Sequence, residues 1–201
     1  AAGADAALYW VLIFGFANLI ADGFSMSVGN YFAVKAERDN FEKHKAVEYW
    51  EVDNLRHKEV EEIREIYAAK GFRGALLEQV VEVITADKDI WVDTMMKEEL
   101  EMTKDDKTPI KTAFATFLSF NLIGIIPLLS YIGAALLDIE EGNLFLTSCL
   151  ATGVAMIIIG YLKSRVTEKP WVRGVAETLL LGGLAAILAY FVGDLLALYL
   201  L

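Results

Sequence analysis

The sequence predicts an all-α membrane protein, a bundle of transmembrane helices with one large charged insertion after the first helix. Mean hydropathy is +0.43 although 23% of the residues are charged, which indicates that apolar and charged residues are segregated along the chain. Residues 35–111 contain 14 of the 18 Lys and Arg and 20 of the 28 Asp and Glu. Apolar runs flank this block, and the alternating pattern typical of β-strands is absent from the sequence.

Four apolar runs are long enough to cross a bilayer, whose hydrocarbon core of about 30 Å requires about 20 helical residues. They cover approximately residues 6–34, 112–137, 144–162 and 172–200. Because a backbone in lipid must satisfy its own hydrogen bonds, each run is predicted to be a helix. Gly124 and Pro127 predict a kink in the second of them.

The orientation is predicted by Lys and Arg in the short loops. Loop 138–143 has neither, whereas loop 163–173 carries Lys163, Arg165, Lys169 and Arg173. The second loop is therefore expected on the cytoplasmic side. Alternation then gives a first transmembrane helix at 1–34 with its N-terminus outside, a cytoplasmic helical domain at 35–111, and three further transmembrane helices at 112–201.

Helix-favouring residues predict three helices within the insertion. The first covers 36–69 with Gly71 as its stop, the second follows Gly74, and the third begins near Asp87 and runs to about Met102. The acidic excess of this block argues against nucleic acid as a partner and favours cations.

Paired glutamates are the main candidate metal ligands. Glu48 and Glu51 are three residues apart, as are Glu59 and Glu62, and such pairs project from one face of a helix. If the helix is continuous, the two pairs lie three turns apart along it. If the chain bends near residues 53–54, they face each other across a hairpin. Either arrangement can gather four carboxylates around divalent ions.

The third predicted helix adds Met95, Met96 and Glu99, which place thioethers and a carboxylate on one face. Carboxylates suit hard or borderline cations, and a thioether adds softness. This mixture favours Fe²⁺ as the bound ion, with Mn²⁺, Co²⁺, Ni²⁺ or Zn²⁺ as alternatives. Solvated glutamates and core methionines also explain the pattern, and His44 and His57 are expected to be surface residues.

Polar residues in the first apolar run form a stripe at four-residue spacing. These are Asn18, Asp22, Met26 and Asn30. A carboxylate within the bilayer costs about 2.5–3.5 kcal/mol or more, so Asp22 is expected to face a water-filled or partner-lined path, with Met26 as a soft ligand beside it. The alternative is a stripe that only forms hydrogen bonds to neighbouring helices.

The run from Ala21 to Asn30, with Ser25, Met26 and Gly29, resembles the Ser-Met-x-x-Gly signature of the vacuolar iron transporter (VIT) family. The insertion resembles that family's cytoplasmic metal-binding domain, with its paired glutamates and Met-Met-x-x-Glu element. The matching positions are Glu48, Glu51, Glu59, Glu62, Met95, Met96 and Glu99. The resemblance covers nearly the whole chain.

The resemblance implies a homodimer with five membrane helices per protomer and a translocation path at the dimer axis. It implies proton-coupled export of Fe²⁺ from the cytosol, across a vacuolar membrane or a prokaryotic cell membrane. Met26 would be the membrane ligand, and the metal would be cargo, with no prosthetic group and no enzymatic activity.

Two departures from the family pattern bear on these expectations. The sequence begins just before the counterpart of the family's second helix, so either the first helix lies outside this sequence or the pathway is incomplete. Family members commonly carry an acidic residue at the position of Asn30 and a small one at Asp22. Asp22 is therefore expected to supply the carboxylate.

Two other functions are compatible with the residues. One is a metal-binding membrane sensor or scaffold without transport. The other is a membrane-anchored di-iron carboxylate oxidase, whose sites usually use Glu-x-x-His pairs. Phe41 and Asn54 stand three residues before the two histidines, which disfavours the oxidase.

Overall fold

A computed structural model describes residues 2–137 and 144–200, and within these ranges all regular structure is helical. This confirms the predicted all-α class. The α-helices are α1 (Ala2–Asn54), α2 (Arg56–Ala69), α3 (Gly74–Ala86), α4 (Lys88–Glu98), α5 (Pro109–Gly124), α6 (Leu129–Leu137), α7 (Leu144–Thr167) and α8 (Trp171–Leu200).

Four segments in the described part of the chain have the length and composition of membrane spans, as the sequence predicts. They lie within Leu8–Asn54, Pro109–Leu136, Leu144–Thr167 and Trp171–Gly193. α1 has 53 residues and is therefore about 80 Å long, more than twice the hydrocarbon thickness. Its apolar first part fits a bilayer, and charged residues begin at Lys35. The predicted external loop 138–143 lies outside the described residues.

The second membrane segment, for which a kink is predicted at Gly124 and Pro127, is interrupted there. α5 ends at Gly124, a single 3₁₀ turn covers Ile126–Leu128, and α6 begins at Leu129. Proline lacks the N–H that a continuous helix needs at this point. The carbonyl of Pro127 accepts hydrogen bonds from Ser130 Oγ at 3.2 Å and Ser148 Oγ at 2.9 Å, so side chains satisfy the interrupted backbone.

The chain divides into two compact units. The apolar unit comprises Ala1–Ser25 and Phe117–Leu201, and the charged unit comprises Met26–Thr116. α7 and α8 cross closely in the apolar unit. A Cβ added at Gly160 would lie 2.6 Å from the Cα of Val175, so this crossing requires a residue without a side chain.

The charged unit differs from the predicted three-helix arrangement in two respects. The expected helix over 36–69 is interrupted at Leu55, and its first part is continuous with the membrane-length helix α1. The expected third helix ends at Glu98 and not near Met102, because the chain turns back there. Leu100 N–H donates to Met95 O and Met102 N–H donates to Met96 O, while Glu101 adopts a φ of 52°.

The stop at Gly71 is confirmed. Gly71 has a φ of +101°, a conformation that only glycine adopts without strain. α4 begins with a side-chain cap, since Asp87 Oδ1 accepts from the backbone N–H groups of Asp89 and Ile90 at 2.9 and 3.1 Å. These signals let α2, α3 and α4 fold back on the end of α1.

One hydrophobic core holds the charged unit together. Its buried members are Phe41, Val52, Ile63, Leu77, Val81, Ile84, Trp91, Val92, Met95 and Met96. Polar bonds between α1 and α4 surround this core, with Lys45 Nζ 2.6 Å from Asp93 Oδ1 and Tyr49 Oη 2.7 Å from Asp89 Oδ1. The extension of α1 is thereby held against α4.

Candidate metal centre

The turn at Leu55 brings the two glutamate pairs together. Asn54 Nδ2 donates to the carbonyl of Trp50 at 2.8 Å, and Leu55 leaves the helical conformation with φ −121° and ψ 27°. In a continuous helix, Glu48 and Glu59 would be separated by about 16 Å along the axis. The turn instead places α2 beside α1, which decides between the two arrangements that the sequence leaves open.

Glu48, Glu51 and Glu59 form the centre of the site. Each contributes one carboxylate oxygen, and these oxygens all lie within 4.8 Å of one another. Glu59 is 0% exposed and Glu48 is 3% exposed. Both oxygens of Glu59 and Oε2 of Glu48 are buried without a hydrogen-bond partner among the described residues. Buried carboxylates are normally paired, bonded to a donor, or ligands of a metal ion.

The electrostatics of the cluster favour protons or metal ions. Burial, followed by the charges of Glu99, Glu51 and Glu62, raises the pKa of Glu48 from its usual 4.5 to about 7. Burial and then Glu62, Glu51 and Glu48 raise the pKa of Glu59 to about 7. The pKa of Glu99, the C-cap residue of α4, is also raised, mainly by burial and then by Glu62. The negative charges of neighbouring glutamates thus add to burial at Glu48, Glu59 and Glu99.

Met95 and Met96 lie in the hydrophobic core. They are 0% and 1% exposed and belong to the same cluster as Val52 and Ile63, which follow Glu51 and Glu62 in sequence. The two methionines thus share one core with residues of the helices that carry the glutamates. This placement accounts for both methionines through packing.

Sequence reasoning did not single out Lys58. Its Nζ lies 2.8 Å from Glu62 Oε1 and 3.8 Å from Glu59 Oε1. The signal was present in the sequence as a Lys–Glu pair at i,i+4. Such pairs are common on solvated helices, and only the burial of Glu59 distinguishes this one.

Comparison with known proteins shows the family to which the chain belongs. Residues 1–194 match the sequence model described as the VIT family. The chain belongs to the VIT family. A Toxoplasma gondii protein named vacuolar iron transporter is 36% identical over 202 residues, which cover 98% of this chain and 67% of that protein.

Plant members of the VIT family give the same result. Vacuolar iron transporter 1 of Oryza sativa is 34% identical over 94% of this chain and 73% of that protein. Vacuolar iron transporter 1 of Arabidopsis thaliana is 31% identical over 94% of this chain and 74% of that protein. These relatives are named as transporters and not as enzymes, in agreement with the expectation for this chain. With four apolar helices, it is a multi-pass membrane protein.

The VIT signature residues on α1 lie apart from the glutamate cluster. Met26 is 51% exposed, and 22 helical residues, about 33 Å, separate it from Glu48. Asp22 is also exposed. Asn30 donates from Nδ2 to Thr116 Oγ1 at 2.7 Å, and Ser27 Oγ donates to the Ala113 carbonyl at 2.7 Å. Asn30, one member of the predicted stripe, therefore joins α1 to α5 through a hydrogen bond. Asp22 and Met26, two other members, have exposed side chains.

Proposed function

We propose that this chain is a proton-coupled transporter that moves a divalent metal ion, Fe²⁺ in the first place, out of the cytosol. The observation that carries the proposal is the convergence of one carboxylate oxygen each from Glu48, Glu51 and Glu59 within 4.8 Å, with both oxygens of Glu59 buried and without a hydrogen-bond partner among the described residues. A divalent cation supplies the missing partner for these oxygens. The names of the VIT relatives support iron as the cargo.

Seven residues are proposed to capture the metal from the cytosol. The carboxylates of Glu48, Glu51 and Glu59 would form the centre, and the remaining four residues would be Glu62, Met95, Met96 and Glu99. Oxygen ligands admit Fe²⁺, Mn²⁺, Co²⁺, Ni²⁺ and Zn²⁺, and nearby thioethers favour the softer members of this set over Mg²⁺ and Ca²⁺. The metal is cargo here and must also be released.

Protons are proposed to drive that release. A proton and a metal ion compete for the same carboxylate oxygens. The pKa values of Glu48 and Glu59 are raised to about 7, so the competition begins near neutral pH. Metal affinity should therefore increase as pH rises through about 7 and decrease as pH falls below it.

Met26 and Asp22 are proposed to line the translocation pathway. Both are exposed on α1, and an exposed carboxylate in lipid costs about 2.5–3.5 kcal/mol or more. A homodimer whose axis passes along this face of α1 would cover Asp22 and create the path. Replacing Asp22 with Asn should then reduce flux, and unchanged flux would contradict this role.

The proposed topology places residues 35–111 in the cytoplasm, between a transmembrane helix at 1–34 and three more at 112–201. The basic residues at the end of α7 and the start of α8 support this orientation. Lys163 pairs with Glu177 at 3.0 Å, and Arg173 pairs with the same carboxylate at 3.2 Å. The membrane would be vacuolar or, in a prokaryote, the cell membrane.

The test is Fe²⁺ uptake into proteoliposomes with an acidic lumen, under anaerobic conditions, with lumen pH recorded at the same time. Uptake accompanied by a matching loss of lumen protons is the expected result. Replacing Glu48 and Glu59 together with Gln should abolish most of this uptake. Metal binding without uptake would instead indicate a metal-binding sensor or scaffold, and oxygen consumption with Fe²⁺ would indicate an oxidase.

A further inference from the structure

Lys58 lies at the edge of the glutamate cluster, in the first turn of α2. Its Nζ is 2.8 Å from Glu62 Oε1 and 3.8 Å from Glu59 Oε1. The Lys58 side chain is 61% exposed, whereas that of Glu59 is 1% exposed. An exposed ammonium on a flexible stem thus lies beside two carboxylates that are more buried than it is.

We propose that Lys58 is a tethered cation that occupies the edge of the site when metal is absent and must be displaced when a divalent ion binds. This inference rests on the proposed function, in which the cluster captures metal. Lys58 would then set the affinity and exchange rate of the site without being a ligand.

The geometry makes the two cations competitors. A divalent metal binds carboxylate oxygens at about 2.0–2.2 Å, and Oε1 of Glu62, one of the proposed ligands, already pairs with Lys58 Nζ. An ammonium that stayed there would face a doubly charged ion across one carboxylate, and like charges at that separation repel. The exposed side chain of Lys58 can instead swing into solvent.

Displacement should be easy, because a solvent-exposed ion pair contributes little. The arrangement also discriminates by charge. A monovalent ion gains little by replacing an ammonium of the same charge, whereas a divalent ion gains about twice the attraction. Lys58 would thereby disfavour Na⁺ and K⁺, and its return would accelerate the departure of the divalent ion.

The test is Mn²⁺ binding to the full chain in detergent, with dissociation followed after addition of a chelator. Lys58→Gln should tighten Mn²⁺ binding by about two- to fivefold and slow its dissociation. Lys58→Arg keeps the charge and should remain close to the wild-type protein. Lys70→Gln is the matched control, since Lys70 is the C-cap residue of α2 and pairs with Glu98.

The Glu59→Gln variant tests the metal site itself, so that a failure of the Lys58 inference can be distinguished from a failure of the proposed function. If wild-type protein binds Mn²⁺ and Glu59→Gln does not, but Lys58→Gln binds with unchanged or weaker affinity, the role of Lys58 is overturned and the metal site stands. If Lys58→Arg behaves like Lys58→Gln, charge is not the cause and the inference also fails. Absence of Mn²⁺ binding by the wild-type chain would overturn both.

Discussion

The charged and apolar units bury opposite kinds of residue. In the charged unit, water drives large apolar side chains inward, so Trp91 and Met95 are 0% exposed. In the apolar unit, large side chains such as Leu180 and Phe191 are 67% and 64% exposed, and small residues such as Gly160 and Ser164 lie at the helix crossing. Lipid accepts apolar surface, so close packing of backbones replaces the hydrophobic effect there.

This difference explains where chemistry can be placed. The water-excluding core of the charged unit raises the affinity of buried carboxylates for protons and cations. Glu59 is fully buried, and neither of its carboxylate oxygens has a hydrogen-bond partner in the part of the chain that the structure describes. The apolar unit has no core of this kind in its described residues, and its polar groups mostly bond to nearby backbone carbonyls, as Thr152 and Thr178 do.

The largest expected effect is on the pH dependence of the metal-free charged unit. The pKa values of Glu48 and Glu59 are about 7 in the folded chain against 4.5 ordinarily. The folded state then binds more protons between these values, so the stability that Glu48 and Glu59 contribute is fully present below about pH 4.5 and is lost as pH rises through about 7. We expect the free energy of unfolding to fall by about 2–4 kcal/mol.

Urea unfolding in detergent, followed by tryptophan fluorescence at several pH values, measures this effect. The Glu48→Gln/Glu59→Gln variant is the control, because it lacks both titrating groups. Its free energy of unfolding should therefore depend less on pH than that of the wild-type protein. Saturating Mn²⁺ at pH 8 should restore stability to the wild-type protein. An equal pH slope in the two proteins would contradict the account.

The second effect tests packing in the apolar unit. Gly160→Ala should destabilise the chain by about 1–3 kcal/mol, because the added Cβ would lie 2.6 Å from Val175 Cα and 2.9 Å from Gly174 O. Gly153→Ala, in the same helix, is the matched control, since nothing lies within 4 Å of its added Cβ. Equal unfolding midpoints for the two variants would refute close packing at this crossing.

A smaller effect separates packing from ligation at Met95. Met95→Leu keeps volume and apolar character, so stability should change by less than about 1.5 kcal/mol. If the thioether also contributes to metal binding, the variant should lose more affinity for Fe²⁺ than for Mn²⁺, because Mn²⁺ prefers oxygen ligands. Anaerobic titrations with both ions measure this, and unchanged selectivity would assign Met95 to the core alone.

The smallest effect is expected for the ion pairs at the surface. Lys88 Nζ lies 2.6 Å from Asp53 Oδ2, with both side chains largely exposed. Lys88→Ala should therefore change the free energy of unfolding by about 0.2–1 kcal/mol and leave metal affinity unchanged. A larger loss, measured by the same urea titration, would mean that this pair helps to hold α1 and α4 together.

The sequence predicted features that depend on local composition. The four membrane-length helices, the stop at Gly71 and a departure from regular helix near Pro127 all follow from apolar length or from backbone chemistry. The turn at Leu55 could not be decided, since neither glycine nor proline marks it. The prediction that the third helix of the insertion continues to about Met102 was wrong for a similar reason. Residues 99–102 favour helix, but backbone hydrogen bonds to the carbonyls of Met95 and Met96 turn the chain there.

The candidate ligands could be named from spacing, but their environment could not. Glu59 is fully buried, and its carboxylate has no hydrogen-bond partner among the described residues. Both properties depend on how α2 packs in the folded unit. The sequence shows that Lys58 can pair with Glu62, but only the burial of Glu59 shows that this pair lies at the edge of the glutamate cluster. Charge, burial and convergence are properties of the folded chain, and a one-dimensional pattern does not contain them.

The central claim, that the carboxylate cluster of the charged unit captures the metal, is tested most directly by anaerobic Fe²⁺ equilibrium binding to the full chain. Glu48→Gln/Glu59→Gln should weaken binding by at least about a hundredfold, since even outer-shell partners of a metal account for about 10- to 100-fold. Glu65→Gln/Glu82→Gln removes the same charge from exposed positions and should bind like the wild-type protein. Equal Fe²⁺ affinity in the two double variants would contradict the claim.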